Sequence, residues 1–468
     1  MANTVEALHD LERSLSDIVG GQWVSKGKSY ITVRPRTSDE ISQVLKVANI
    51  MGTPVTTRGG GTGWWGTDRP RAGGVLINMT RMNQVKIIDE DAMTVTVEAG
   101  ITFTELESKI SKKGYRIMIF PESGESATIG GHVETWGTSP YTSSVFEDQA
   151  TQIVALKLVL PTGEVVQTGS GAVKTAAGNF ARRFFPSDIS GLFIGGEGAF
   201  GIITEVSLKM YGVPETTITR VVGFRDLQSV VLTLRKLLET QRKGGLATIV
   251  EQRFVAKESL VRAVPRLEQG LAKASRVLIL RGDGDASDVE RHMVMAVEMS
   301  RSEGGRVVDD DVPEWWEGRY GHFPQAGIGK GPRIMVVALV PLGRLLEASE
   351  AAEQFGKNQG IEIAVRGYPF GGPIVSAHAH IPYKANDTKA REKALSLGRG
   401  LMEVLMNAGC VPHRVGTDFL PVLTQKLDPT YYALVKKIKL ALDPNRIMTP
   451  GAIVGEKIAN STDDDSSG

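Results

Sequence analysis

The sequence predicts an α+β protein of two domains, on three observations. Its 468 residues exceed what one ordinary hydrophobic core serves. Stretches of period-two apolar alternation, such as 30–33 and 93–98, are interleaved with helical ones, such as Ile41, Val44, Leu45 and Ala48. Three glycine-bearing stretches, 58–66, 121–131 and 195–201, interrupt the first half where strands would end. Fifty-four basic side chains against fifty-three acidic ones leave no electrostatic footprint for nucleic acid or an anionic membrane. A single cysteine, Cys410, rules out an internal disulfide framework and fits a cytoplasmic protein. No run of eighteen apolar residues is present, so no membrane span is expected.

In chain order, an amphipathic opening leads to a strand at 30–33. Thr37-Ser38-Asp39-Glu40 reads as a capping box for a helix that Gly52 closes. Pro54 to Thr57 forms a strand that delivers the chain to Arg58. Strands follow at 75–78 and 93–98, then a helix at 102–113 ended by Gly114. A long strand at 153–160 turns at Pro161-Thr162-Gly163 into 165–168, and a β-rich run follows the glycines around Glu197.

The stretch RGGGTGWWG, from Arg58 to Gly66, is built for an anion. Gly59, Gly60 and Gly61 can adopt positive φ, which lets successive N–H groups converge on phosphate oxygens, and Arg58 adds a cation. A P-loop would need a Lys at its end. A Rossmann turn would need a helix, and Trp64, Trp65, Asp68, Arg69 and Pro70 break one. The second stretch, PESGESATIGG, begins at Pro121, supplies the Thr128 hydroxyl and leaves room beside Gly130 and Gly131 for a flat ring or a diphosphate. His132, Glu134 and Trp136 follow it at alternate positions, before Gly137. A buried Glu197 among Gly195, Gly196, Gly198 and Gly201 requires a donor, either a ligand hydroxyl or a backbone N–H.

Together, RGGGTG, PESGESATIGG, LPTGE at 160–164 and GGEGAFGIITEVSLKM at 195–210 resemble the FAD-binding domain of the vanillyl alcohol oxidase and p-cresol methylhydroxylase (PCMH-type) superfamily, in both order and spacing. In motif style the chain is most similar to the D-lactate dehydrogenase and glycolate oxidase subunit group. The resemblance spans 30–212 and resumes at 442–451 with LDPNRIMTPG. It implies a two-subdomain PCMH-type FAD-binding domain over 1–214, and an α+β cap or substrate domain with an antiparallel sheet over 215–440. It also implies a return to the FAD domain over 441–456, before a polar tail at 457–468 expected to be disordered. FAD would be held by Arg58, Gly59, Gly60, Gly61, Thr62 and Gly63 from the first loop and by Pro121, Thr128, Gly130, Gly131 and Gly137 from the second, with Glu197, Gly201 and Ile202 on the adenosine and ribitol side. The sequence departs from relatives that carry a flavin-linking His in this loop, since Gly63, Trp64 and Trp65 stand there. Non-covalent binding through the first loop is therefore expected.

In the second half, helices are predicted at 227–243, 345–358 and 386–408, with strands at 276–280, 334–339 and 373–381. Ser376, His378 and His380 alternate with Val375, Ala377, Ala379 and Ile381, which puts both imidazoles on one strand face. His413 stands where the resembled 2-hydroxy acid dehydrogenases carry the histidine of EHGxG, although Pro412 replaces the Glu and no GDGN is present. Three readings of His378, His380 and His413 stand open: no functional role, a divalent-metal site, or a metal-free acid/base cluster. The last would have His378 or His380 as base and His413 as its partner. Trp315-Trp316-Glu317-Gly318-Arg319 resembles the Trp-x-x-Arg segment whose Arg lies near the substrate carboxylate in D-lactate and glycolate dehydrogenases, and Arg319 could otherwise stack or pair locally.

The resulting expectation is an FAD-dependent oxidoreductase acting on CH-OH groups. It would take a hydride from a small alcohol, above all a 2-hydroxy acid, and pass electrons to an acceptor the sequence does not identify; a homodimer is compatible with it. A phenolic oxidase, an alkyl-dihydroxyacetonephosphate synthase-like transferase without net redox change, and a flavin-binding module without catalysis are the rivals.

Overall fold

A computed structural model of the chain describes residues 2–27, 29–139, 149–185, 187–263, 265–308 and 332–455. Arg319 with its tryptophans and the acidic tail lie outside the described residues. The first half is built from two sheets that share one core. A four-stranded sheet runs in the order Val24–Lys26, Ile31–Val33, Val75–Asn78, Val55–Arg58, and the last two contacts are parallel. A five-stranded antiparallel sheet runs in the order Val85–Asp89, Thr94–Glu98, Ile202–Lys209, Ile153–Val159, Val165–Gln167. Ile31, Val55 and Ile77 from the first pack with Val97, Leu156 and Val206 from the second.

Local signals account for the element ends. Thr37 caps the helix Ser38–Met51 by accepting the Glu40 N–H, and Gly52 at φ 60° ends it. The Glu40 carboxylate takes the Arg36 N–H at 2.5 Å, so the box predicted there is offset by one residue. The reciprocal box forms instead at Thr102 and Glu105, heading the helix Phe103–Ile110. The carboxyl end of the chain returns to the first sheet: Val55 donates to the Ile447 carbonyl at 2.7 Å and accepts from Thr449 at 2.8 Å. Buried Lys439 anchors that return through Asp443 (2.6 Å), the Ala199 carbonyl (2.6 Å) and the Met448 carbonyl (3.0 Å).

The second half carries an eight-stranded sheet in the order Arg306–Val308, Thr216–Phe224, Arg276–Gly284, Ile249–Ala256, Arg366–Pro369, Ile374–Pro382, Arg333–Pro341, Val411–Pro412, with every pairing antiparallel. The helices Leu227–Arg242, Ala286–Ser302, Leu345–Gln359 and Thr388–Asn407 bury residues such as Leu234, Met293, Leu345 and Leu401 in a core with Phe254, Leu278 and Val336. Residues opposite each other in antiparallel strands share a face. Arg366 opposes His378, Tyr368 opposes Ser376, and Met335 opposes His380, which gathers a polar patch on one face of the sheet.

The halves are pinned together by buried and directional contacts. Arg116 grips Asp283 with two bonds of 2.7 and 3.1 Å, and Trp65 Nε1 donates to the Met335 carbonyl at 3.2 Å. Arg69 forks onto Asp418 at 3.0 Å for each bond. Among the described residues no helix is long and apolar enough to cross a membrane.

Candidate active site

The polar patch of the large sheet faces the glycine loops across a cleft holding about 1480 Å³ of empty space, counted to its open mouth. One wall is Arg58 to Gly63, Pro121, Thr128, Gly130, Gly131, Glu197 and Ile202, all predicted as cofactor residues. The other carries Arg253, Arg333, Arg366, Tyr368, His378 and His380. Two predicted glycines do not line the cleft. A Cβ on Gly137 would strike the His132 ring, and one on Gly201 would lie 2.9 Å from the Val159 carbonyl, so both serve packing.

The first two loop glycines are required because the two loops touch. A Cβ on Gly59 would run into Thr128 Oγ1, and one on Gly60 into the Ser126 carbonyl. Gly61 adopts φ 68°, and Arg58 closes the loop by donating to the Asp68 carbonyl at 2.5 Å. The N–H groups of Gly60, Gly61, Thr62 and Gly63 make no hydrogen bond to any described residue. Consecutive unengaged N–H groups on a side-chain-free turn are the donor set a diphosphate needs.

Behind Thr128 the chain forms the helix Ile129–Glu134 in place of the alternating pattern expected there, because Thr128 caps it by accepting the Gly131 N–H. The helix separates residues that alternation would have put on one face. His132 packs edge-on against Phe103 at 5.0 Å and Glu134 accepts from Gly198 (2.8 Å) and Ile203 (3.1 Å); both also line the cleft, whereas Trp136 does not. Glu197, at φ 52°, meets the backbone donor its burial demanded, the Gly416 N–H at 2.9 Å. Burial pushes the carboxyl of each up to about 7, against the lowering effect of those N–H groups.

On the sheet wall, His378 Nε2 lies 3.0 Å from Ser376 Oγ. Both ring nitrogens of His380 are buried and have no hydrogen-bond partner among the described residues. Burial holds both imidazoles well below their usual range, and Arg366 adds to this for both, with Arg333 adding at His380. Both rings are therefore neutral at pH 7. The partnership expected of His413 with this pair does not form. Its ring packs against Phe370 at 4.8 Å and Trp136 at 5.6 Å, it is absent from the cleft lining, and burial pushes it down to about 3.

The tryptophans after the glycine loop connect the walls. The Arg333 guanidinium lies 5.4 Å from the Trp64 ring centre and that of Arg414 lies 4.6 Å from Trp65. Arg253, Arg333, Arg366, Tyr368 and Arg414 were not singled out from sequence. The available signal was polar residues two apart inside apolar strands, as in Glu251 and Arg253 or Arg366 and Tyr368, which marks one face of a sheet as functional. Among the described residues no group of three His, Cys, Asp or Glu side chains is gathered to hold a metal ion.

This architecture, glycine loops opposed to a polar sheet, is that of a flavoprotein, and the chain belongs to the FAD-linked oxidases. It matches the FAD binding domain family over residues 30–169 and the C-terminal domain family of FAD linked oxidases over residues 213–453. It is 26% identical to the glycolate oxidase subunit GlcD of Bacillus subtilis over 90% of this chain and 87% of that one. It is 27% identical to a mitochondrial cytochrome-linked D-lactate dehydrogenase of Arabidopsis thaliana, over 91% and 73%. An uncharacterized FAD-linked oxidoreductase of Mycobacterium tuberculosis is 25% identical over 92% of each. In fold it superposes on p-cresol methylhydroxylase with a TM-score of 0.84 at 17% identity, covering 96% of this chain and 97% of that one. An alkyldihydroxyacetonephosphate synthase superposes with a TM-score of 0.70 at 18% identity, covering 94% and 85%. The PCMH-type α+β fold expected from the motifs is thus the observed one.

Proposed function

We propose that this FAD-linked oxidoreductase oxidises the alcohol carbon of a small 2-hydroxy acid, as the names of its glycolate oxidase and D-lactate dehydrogenase relatives suggest. The observation that carries the reading is the placement of Arg333 diagonally across two strands from His380, on one face of the sheet. A 2-hydroxy acid carries its carboxylate and its hydroxyl on adjacent atoms, and a guanidinium beside a neutral imidazole matches that pair.

FAD fits the opposite wall, where the contacting glycine loops leave a run of N–H donors unengaged; when bound there non-covalently it supplies the acceptor for the hydride. The protein's own residues do the rest. Arg333 takes the carboxylate. The hydroxyl donates to the unpartnered His380 ring, which receives its proton as the hydride leaves carbon. Burial, with the charges of Arg366 and Arg333 added to it, keeps that ring neutral before substrate arrives. The substrate's own negative charge then offsets them and makes the ring a better base when it is needed. His378 is oriented through Ser376, and Trp64 with Trp65 screens the cleft from water.

A phenolic substrate is the second reading, favoured by buried Tyr368, whose ring centre lies 5.9 Å from the Arg253 guanidinium. Anaerobic titration of the purified yellow protein decides between them. Loss of the flavin's visible absorbance with D-lactate or glycolate supports the first reading, and loss with 4-ethylphenol alone supports the second. No change with any alcohol would overturn both and leave a transferase or a binding module.

A further inference from the structure

One carboxylate crosses the cleft. Glu122 follows Pro121 on the second glycine-bearing turn, yet its side chain leaves the FAD wall and pairs with two guanidinium groups of the sheet. One oxygen accepts from Arg253 Nη1, and the other lies 3.8 Å from Arg366 Nη2. Arg253 also holds Glu251 at 3.0 Å. The exposed fractions of these side chains are small, 3% for Arg253, 0% for Glu251, 16% for Arg366 and 18% for Glu122. The set therefore interacts through a poorly screening medium, and its two positive and two negative charges balance. Arg366 is also the residue directly opposite His378, so Glu122 occupies the cation next to the imidazoles.

Resting on the reading of the cleft as a 2-hydroxy acid site, we propose that Glu122 is a specificity-determining residue that restricts the cleft to monocarboxylates by occupying Arg253 and Arg366 as an internal anion. A substrate with one carboxylate is served by Arg333. A 2-hydroxy dicarboxylate would bring its second carboxylate to a place where a protein carboxylate already sits, and like charges that close are strongly disfavoured. With the Glu122 charge removed, Arg366 becomes the receptor for that second group.

The test uses purified holoprotein, with binding read from tryptophan fluorescence, since Trp64 and Trp65 line the cleft. Propionate and glutarate are titrated into the wild type and Glu122→Gln. The expected result is weaker binding of glutarate than of propionate to the wild type, and about tenfold tighter glutarate binding in the variant with propionate changed less than about threefold. Adding Arg366→Gln to Glu122→Gln should abolish the gain. The proposal is overturned if glutarate affinity is unchanged in a folded, flavin-loaded Glu122→Gln, if both acids tighten equally, or if the wild type already prefers glutarate. Should Glu122→Gln fail to fold, Glu122→Ala removes the same charge and must tighten glutarate more than propionate, or the idea fails. Turnover of D-2-hydroxyglutarate against D-2-hydroxybutyrate should follow the same order. If no hydroxy acid reduces the flavin, the substrate reading falls, while the binding titration still reports on Glu122.

Discussion

The glycine wall and the sheet wall enclose one cleft with opposite chemistry. On the first, recognition is by backbone: Gly59 and Gly60 exist so that one loop can lie directly on another, and the loop's N–H groups from Gly60 to Gly63 make no hydrogen bond to any described residue. On the second, recognition is by side chains that four strands and the segment after Val411–Pro412 carry into one patch, with the imidazoles flanked by guanidinium groups. Backbone recognition tolerates almost no substitution at the contact but asks little of its surroundings. Side-chain recognition depends on sheet register, since moving a strand by one residue would send His378 and His380 into the helical core.

The largest effect expected is on the glycine wall. Gly60→Ala should cut the FAD retained after purification by at least tenfold, about 1.4 kcal/mol or more, because its Cβ meets backbone that cannot yield; the flavin-to-protein absorbance ratio measures this. Normal flavin content in that variant would break the contrast between the walls. On the sheet wall, His380→Ala should leave flavin content intact and lower kcat by about 10²- to 10⁴-fold. His413→Ala, outside the cleft lining, should cost less than about tenfold on the same assay, and equal losses would return His413 to the reacting centre.

Arg333→Gln should act mainly on KM, raising it by about ten- to a hundredfold for a 2-hydroxy acid through loss of the charge-assisted fork. The smallest effect concerns stability. The Glu197 carboxyl is raised to about 7 in the folded chain against an ordinary value of 4.5. Its contribution to stability is therefore full below the unfolded value and is lost as pH rises through about 7. Glu197→Gln, which can still accept the Gly416 N–H, should raise Tm by a few degrees near pH 8 and by little near pH 5; a pH-independent difference would show that the carboxyl is ionised throughout.

Much of the glycine wall was legible before any coordinates. Three adjacent glycines, a second glycine pair and a glutamate among glycines are rare enough in combination to announce a cradle, and twelve of the predicted cofactor residues line it. Gly137 and Gly201 misled because a glycine required by a neighbouring ring or carbonyl has the same sequence signature as one required by a ligand. The helix at Ile129–Glu134 was missed because a single capping hydroxyl outweighed a polar alternation only a few residues long. The histidine strand was readable from its period of two, whereas the arginines were scattered over strands far apart in the chain.

By itself, the sequence determined the α+β class, the places where backbone must bend without side chains, and the strand face that His378 and His380 share. These follow from local rules, the absence of a Cβ and the two-residue pleat, which need no knowledge of what lies opposite. Only the tertiary structure decided that Arg333 stands beside His380, that His413 is walled off by Trp136 and Phe370, and that Glu122 reaches across to Arg253 and Arg366. Those relations join residues up to 277 positions apart, and their energies depend on burial and on the sign of the nearest charge, quantities that exist only once the sheet has closed over the loops.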